Sequence, residues 1–121
     1  MENRENSKLY DLEQRTLVFA RNTRNYLKKL PKTLLNMDDV KQVLRSSGSV
    51  GANYIEANES LSKKDFLMRV KICRKEAKES VYWFNLIENP NNELQKECLK
   101  LMQESKELMM IFGSIIRKLE N

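Results

Sequence analysis

The chain has 121 residues, a size typical of one domain with one hydrophobic core. Its 22 basic and 17 acidic residues give a formal net charge of +5, and hydrophobic residues make up 40% of the sequence. This composition argues against a membrane protein, because no run approaches the roughly 20 apolar residues of a membrane-spanning helix. The polar N-terminus also lacks the apolar centre of a secretory signal, so we expect a cytoplasmic protein.

Four consecutive segments keep the alternating steps of three and four residues that line the core of a helical bundle. The first places Leu12, Thr16, Phe19, Thr23, Tyr26 and Leu30 in register, and the second places Val40, Val43, Ser47, Val50, Tyr54, Ala57 and Leu61. The third has Phe66, Val70, Cys73, Ala77, Ser80, Phe84 and Ile87, and the fourth has Leu94, Cys98, Leu101, Ser105, Leu108, Phe112, Ile115 and Leu119. We predict helices over about residues 10–30, 37–60, 63–89 and 92–120.

Capping and helix-breaking residues delimit these segments. They are, in chain order, Asp11 with Gln14, Leu30-Pro31, Asn36 or Asp38, Ser62 with Asp65, and Asn89-Pro90-Asn91-Asn92 with Gln95. Connections this short force successive helices to run antiparallel. The sequence therefore predicts an all-α, antiparallel up-and-down four-helix bundle over residues 9–121, preceded by a flexible tail, residues 1–8, that lacks periodicity.

The second helix is unusual because Ser and Gly are costly inside a helix. Leu44, Gly48, Gly51 and Ile55 form a second apolar flank beside its core stripe. We expect either that a neighbouring helix lies very close to this flank or that the flank contacts another subunit.

A polar stripe lies on a separate face of the same helix and comprises Arg45, Ser49, Asn53 and Glu56. It could bind a phosphate or a partner. A network of hydrogen bonds and ion pairs that sets helix register or a subunit contact is the interpretation we favour, since polar pairs four residues apart are common on helices.

The excess positive charge lies in the first and third helices. Residues 9–30 carry five basic and two acidic residues, and residues 62–88 carry seven basic and four acidic residues. The candidate nucleic-acid contacts share helix faces and are Arg21, Arg24, Lys28, Lys71, Lys75 and Lys78. Ordinary solvated helix faces are the competing interpretation, which a symmetric oligomer would weaken by repeating each stripe.

Late in the third helix, Tyr82 and Trp83 precede the core position Phe84. Three consecutive aromatic residues cannot all face one core, so Tyr82 and Trp83 are expected on a flank. We interpret them as interface residues, because Trp is enriched at protein contacts; stacking on bases is the weaker alternative.

The chain contains no histidine, so catalytic arrangements and metal sites built on histidine are absent. Cys73 and Cys98 fall on core positions of different helices. We interpret them as reduced, buried hydrophobic residues rather than as a disulfide or a metal site. No motif predicts a cofactor, a metal or a catalytic residue, so we expect a protein that is not an enzyme.

Several short motifs occur along the first three helices: Tyr10-Asp11-Leu12-Glu13 with Arg15, Phe19-Ala20, Arg45-Ser46, Ser49-Val50-Gly51-Ala52-Asn53 with Glu56-Ala57, Asp65-Phe66, Lys78-Glu79-Ser80 and Tyr82-Trp83. Together they resemble the four-helix-bundle proteins encoded in intervening sequences of bacterial 23S rRNA genes. The resemblance spans about residues 9–88, and the fourth helix matches by pattern alone. Val50 and Tyr54 stand where many relatives have Ile, and Phe84 where many have Leu, so these changes are conservative.

The resemblance implies an up-and-down bundle that assembles into a homopentamer and has no established enzymatic activity. It also implies a link to the accessory proteins of diversity-generating retroelements, whose basic pentamers associate with a reverse transcriptase and nucleic acid. The leading hypothesis is thus a non-enzymatic oligomer, without cofactor, that binds RNA or DNA through a basic surface. The alternative is a protein-interaction scaffold, or a reverse-transcriptase accessory subunit without nucleic-acid specificity of its own.

Overall fold

The computed structural model describes residues 4–121, with side chains from Leu12 onward. Over this part of the chain the helices are α1 (Arg4–Leu27), α2 (Leu34–Asn58), α3 (Lys63–Leu86) and α4 (Asn92–Glu120). Each helix packs against the next one along the chain, and α4 also packs against α1, which closes the bundle. The short connections make neighbouring helices antiparallel. The predicted all-α four-helix architecture is therefore confirmed.

The heptad positions fill the core of the bundle. Those that are at least nine-tenths buried include Phe19, Tyr26, Val43, Val50, Val70, Phe84, Leu108 and Phe112. Cys73 and Cys98 are free and buried among them, and burial raises the pKa of Cys73 to about 12, so its thiol stays protonated at neutral pH. Leu61 was predicted to continue the stripe, which is wrong: α2 ends at Asn58, and Leu61 lies fully exposed in the following turn.

Helix α1 begins at Arg4 rather than near residue 10 and ends at Leu27, before Leu30-Pro31. The predicted tail thus overlaps α1 from Arg4, while residues 1–3 lie outside the described residues. Asp11, predicted as the cap with Gln14, lies inside the helix. Residues such as Glu5 and Lys8 have good helix propensity, so a helix can extend here without an apolar stripe.

The other helix starts follow side-chain caps. Thr33 accepts a hydrogen bond from the Asn36 N–H at 3.2 Å, so α2 begins at Leu34 rather than near Asn36 or Asp38. Ser62 caps α3 as predicted. Asn91, rather than Asn92, caps α4 by accepting from the Leu94 N–H at 2.9 Å.

Asn36 has a structural role that differs from the predicted one. It is almost fully buried, and its side chain both accepts from the Glu88 N–H and donates to the Glu88 carbonyl, each at 3.1 Å. These bonds satisfy backbone groups in the α3–α4 connection that the helices leave unpaired. The first turn of α2 is thereby joined to the α3–α4 connection at one end of the bundle.

Small residues bring α2 close to both of its neighbours. At Gly51, an added Cβ would lie 2.9 Å from Thr16 Oγ1 and 3.1 Å from Thr16 Cβ on α1. On the other side, the buried hydroxyls of Ser46 and Ser80 are 2.8 Å apart and join α2 to α3. Gly48 differs, because an added Cβ would meet its nearest neighbour, Arg24, at 3.9 Å. The close-helix explanation therefore applies to Gly51 and not to Gly48.

We predict that Gly51→Ala destabilises the bundle and that Gly48→Ala does not. At Gly51, the contact with Thr16 adds an overpacking cost of about 1–3 kcal/mol, which exceeds the gain of about 1 kcal/mol in helix propensity. At Gly48 the gain in propensity acts alone. Denaturant unfolding followed by circular dichroism measures both variants, and equal shifts in the same direction would contradict the close approach.

Candidate nucleic-acid interface

A groove runs between α1 and α2 over the flank that the sequence singled out. It encloses about 620 Å³ and is lined by Glu13, Thr16, Leu17, Ala20, Arg24, Lys41, Leu44, Arg45, Gly48, Ser49, Gly51, Ala52 and Ile55. Leu17, Leu44 and Ile55 remain 43%, 37% and 52% exposed, respectively. Exposed apolar side chains along a groove are typical of surfaces that contact another molecule.

The groove continues into a second hollow of about 300 Å³ beside the α1–α2 connection, where Lys28, Lys32 and Lys41 lie with Pro31 and Met37. Lys41 lines both hollows. Its position makes one continuous surface, which we call the α1/α2 groove, apolar towards Ile55 and basic towards Lys28.

The basic end of this groove is not neutralised. Within the described residues, Arg24, Lys28, Lys32 and Lys41 have no carboxylate within 4.0 Å. Cations held near one another without counter-charges raise the local positive potential. Of the predicted α1 contacts, Arg24 and Lys28 line the groove, whereas Arg21 is exposed on α1 but does not line it.

The predicted contacts on α3 form a separate surface, because α1 and α3 occupy diagonal positions in the bundle. Lys71 Nζ lies 3.3 Å from the Glu120 carboxylate, and Lys75 Nζ lies 3.8 Å from the Glu76 carboxylate. Lys78 is exposed and has no carboxylate that close among the described residues. The tertiary structure therefore does not bring the six predicted cations into one patch.

Two members of the polar stripe of α2, Arg45 and Asn53, contact α3. Arg45 donates to Glu76 at 3.1 Å and to Glu79 at 3.0 Å. Further along, Arg69 donates to the Asn53 side chain at 3.2 Å, and Asn53 in turn donates to the Ser49 carbonyl at 2.9 Å.

Glu56, the last member of the stripe, is exposed on the same helix. Arg45 and Asn53 thus take part in contacts that join α2 to α3, whereas Ser49 contributes only its backbone carbonyl, to a bond within α2.

Glu76 is the unusual member of this network, because its side chain is only 6% exposed. A buried carboxylate is costly unless it is paired and hydrogen-bonded. Arg45, half exposed itself, reaches over from α2 and supplies that partner. The pair therefore couples the stability of the α2–α3 contact to a residue that also lines the α1/α2 groove.

The two flanking aromatic residues differ in exposure. Tyr82 is 59% exposed, whereas Trp83 is half-buried and packs against the core. Their rings stack edge to face with centroids 5.1 Å apart. Trp83 thus packs between the core and Tyr82, which lies at the surface of α3.

Sequence reasoning missed Lys32 and Lys41. Residues 31–61 carry nearly equal numbers of acidic and basic residues, so their net charge does not indicate a basic surface. The available signal was the heptad spacing of Lys41 with Leu44 and Gly48, which places Lys41 on the same flank. Their proximity to Arg24 and Lys28 depends on the packing of α1 against α2.

A metal cluster and a membrane span are both absent from the described part of the chain. Among the side chains from Leu12 onward, no group of three Cys, Asp or Glu gathers closely enough to hold a metal ion. None of the helices over residues 4–121 combines the length and the apolar content needed to cross a bilayer.

The family model of the 23S rRNA-intervening sequence proteins matches residues 8–114. The chain belongs to this family. The match extends through most of α4, beyond the part of the chain over which the motifs showed the resemblance.

A solved structure also supports the fold of this chain. The chain is similar to a protein of unknown function from the S23 ribosomal protein family of Bacteroides thetaiotaomicron, with 31% sequence identity and a TM-score of 0.72. The match covers 86% of this chain and 96% of the other. No curated protein matches the chain.

We predict that Arg45→Met lowers the free energy of unfolding by about 1–2 kcal/mol, less than for a fully buried pair because Arg45 is half exposed. The loss arises because the buried Glu76 carboxylate keeps only Lys75 nearby among the described residues. Arg21→Met is the matched control, since Arg21 is exposed and forms no described ion pair. Adding Glu76→Met to Arg45→Met should recover much of the loss. Equal denaturation midpoints for the two arginine variants would contradict this role.

Proposed function

We propose that this chain is a non-enzymatic protein that assembles into an oligomer and binds RNA or DNA through the basic end of its α1/α2 groove. The observation that carries the proposal is the cluster of Arg24, Lys28, Lys32 and Lys41, which lie along one surface without carboxylate partners among the described residues. Such a surface attracts polyanions, because cations that neutralise phosphates release the counterions condensed on the nucleic acid.

The placement of the acidic residues supports this assignment. Several cations elsewhere on the bundle are paired: Arg15 contacts Glu104 at 2.7 Å, and Lys29 lies 3.2 Å from Glu97. At the groove, the lining residues include one acid, Glu13, at the apolar end. Within the α1/α2 groove, positive potential is therefore concentrated at the end beside Lys28.

Assembly is supported by the apolar end of the same groove. Leu17, Leu44 and Ile55 are exposed beside Gly48, whose backbone has room above it for another side chain. The family resemblance implies a homopentamer, in which a closed ring would repeat the basic cluster five times. Repetition multiplies the number of phosphates that one complex can contact, so assembly and binding would reinforce each other.

We expect Lys28→Gln/Lys41→Gln to weaken binding and to make the slope of log K against log salt shallower by about 2, since two phosphate contacts are lost. The measurement is fluorescence anisotropy with single-stranded RNA, duplex and structured RNA over a series of salt concentrations. Lys96→Gln/Lys100→Gln is the matched control, because these lysines alternate with Glu93 and Glu97 on α4.

An equal effect of both lysine pairs would indicate that net charge, and not the groove, determines binding. The absence of salt-dependent binding in the wild type would contradict nucleic-acid binding altogether.

A protein-interaction scaffold is the second candidate, including a reverse-transcriptase accessory subunit without nucleic-acid specificity of its own. The exposed apolar residues of the α1/α2 groove favour it, because their surface suits a protein contact better than a phosphate backbone. On this alternative, the assembly forms through the groove and another outer face binds the partner.

We predict that Leu44→Ser/Ile55→Ser converts the assembly to smaller species, because both side chains lose the apolar area that a subunit contact would bury. Light scattering coupled to size exclusion measures the mass of each species. Leu99→Ser/Met110→Ser is the matched control, since these residues are 50% and 66% exposed on α4. A monomeric wild type, or a groove variant of unchanged mass, would rule out assembly through this surface.

A further inference from the structure

A cleft between α3 and α4 brings together two arginines from different helices. It encloses about 470 Å³, on a side of the bundle away from the α1/α2 groove, and is lined by Arg74, Met109, Met110, Ile111, Gly113, Ser114 and Arg117. Both arginines are exposed, and neither has a carboxylate within 4.0 Å among the described residues. Neither arginine lines the α1/α2 groove.

The two guanidinium groups converge over one backbone position. A Cβ added at Gly113 would lie 3.4 Å from an Arg117 Nη1 atom and 3.9 Å from Arg74 Nε. Helical side chains lean towards the N-terminus of their own helix, so Arg117 projects back over the preceding turn at Gly113. Arg74 reaches the same place from the antiparallel α3. Because Gly113 has no side chain, both groups can lie close to the backbone.

Two like charges in one cleft repel each other unless an anion lies between them. A neighbouring acid could have neutralised them, since Glu120 follows Arg117 by three residues on the same helix. Its carboxylate instead lies 3.3 Å from Lys71. The cleft therefore holds two positive charges that an external anion can neutralise.

We infer that the cleft formed by Arg74, Ser114 and Arg117 binds a phosphate group. Each guanidinium presents a planar fork of N–H donors that matches the oxygens of a phosphate, and Ser114 lines the cleft with a hydroxyl that can donate a further bond. Two cationic forks suit a tetrahedral oxyanion with several acceptors better than a single planar carboxylate. Met109 and Ile111, both partly buried, form the apolar wall of the cleft.

The phosphate can come from nucleic acid or from a small free phosphate. A nucleic-acid source would rest on the proposed function and extend it, because Lys71 and Lys78 lie one helical turn to either side of Arg74. The cleft would then continue the basic surface of α3 onto α4. A free phosphate would bind in the cleft whether or not the α1/α2 groove binds nucleic acid.

The first experiment titrates the 121-residue chain with inorganic phosphate, using sodium chloride of equal ionic strength as the reference. The readout is the arginine Nε–H resonances in NMR spectra, assigned with the single variants Arg74→Gln and Arg117→Gln. Saturable shifts of both resonances with phosphate, and not with chloride, are expected. The double variant Arg74→Gln/Arg117→Gln should lose phosphate binding, as measured by calorimetry, whereas Lys96→Gln/Lys100→Gln should retain it.

Gly113→Leu provides a second variant that keeps both arginines. Its side chain would occupy the place where they converge, so phosphate binding should be lost while circular dichroism still shows a helical protein. If this variant fails to fold, the exposed arginine pair still tests the site. A wild type without saturable phosphate binding, or an arginine pair variant that binds as the wild type does, overturns the inference. Binding of an acidic peptide without binding of phosphate also overturns it.

The second experiment separates the two sources and separates this site from the α1/α2 groove. In one outcome, Arg74→Gln/Arg117→Gln binds phosphate less tightly and also binds the oligonucleotide at least tenfold more weakly than the Lys96→Gln/Lys100→Gln control does. That result establishes the site and identifies nucleic acid as the source of the phosphate. If phosphate binding falls and oligonucleotide binding is unchanged, the site is established with a free phosphate. Lys28→Gln/Lys41→Gln should leave phosphate binding in the cleft unchanged, because neither lysine lines the cleft. Phosphate binding in the cleft can therefore be confirmed even if the α1/α2 groove binds no nucleic acid.

Discussion

The close approach of α2 to both of its neighbours is the constraint on which the rest of the structure depends. Gly51 lies against Thr16 on one side, and Ser46 meets Ser80 on the other. A larger side chain at either position would separate the helices and open the core between them. This packing explains why α2 accepts serine and glycine despite their low helix propensity.

The same packing determines which surfaces remain open. With Gly51 against α1, the outer side of α2 is left uncovered at Gly48, and Leu44 and Ile55 flank a groove instead of a sealed helix contact. On its other side, α2 presents Arg45 to the buried Glu76 of α3, so this arginine contributes to the α2–α3 contact as well as lining the groove. Arg45 of the polar stripe thus belongs to both surfaces of α2.

The distribution of ion pairs separates structural cations from those available to a ligand. Arg15, Lys29 and Lys71 lie beside carboxylates of α4 and connect it to its two neighbours. The basic end of the α1/α2 groove and the Arg74–Arg117 cleft have no such carboxylates among the described residues. A chain with a net charge of only +5 can therefore present two concentrated basic surfaces, because its acidic residues neutralise other parts of the bundle.

For a 23S rRNA-intervening sequence protein, this division gives the proposals a physical basis that net charge alone does not provide. A surface for assembly needs exposed apolar area, and a surface for phosphates needs cations that are not already paired. The α1/α2 groove offers both properties at opposite ends. A symmetric ring formed through its apolar end would place the basic ends of successive subunits in a repeating arrangement.

The sequence by itself determined the fold class, the register of most core positions and the breaks between helices. These properties are local: residues such as Phe19, Val50 and Phe112 fall three or four positions from the next core residue, and Ser62 and Pro31 act within one turn. Where the heptad was extended past a helix end, at Leu61, the prediction was wrong, because periodicity does not show where the last turn stops. The start at Leu34 was missed for a different reason. Asn36 was expected to cap the helix, but its side chain contacts Glu88, which is distant in the sequence.

The tertiary structure alone decided how the candidate site is composed. Sequence separation does not show that Lys41 joins Arg24 and Lys28, that Lys71 lies beside Glu120, or that Arg74 meets Arg117 over Gly113. Each of these groupings joins residues from different parts of the chain, and it depends on the distance and rotation of one helix relative to another. Those quantities are set by packing of the whole core, so the charges were readable from the sequence while their grouping was not.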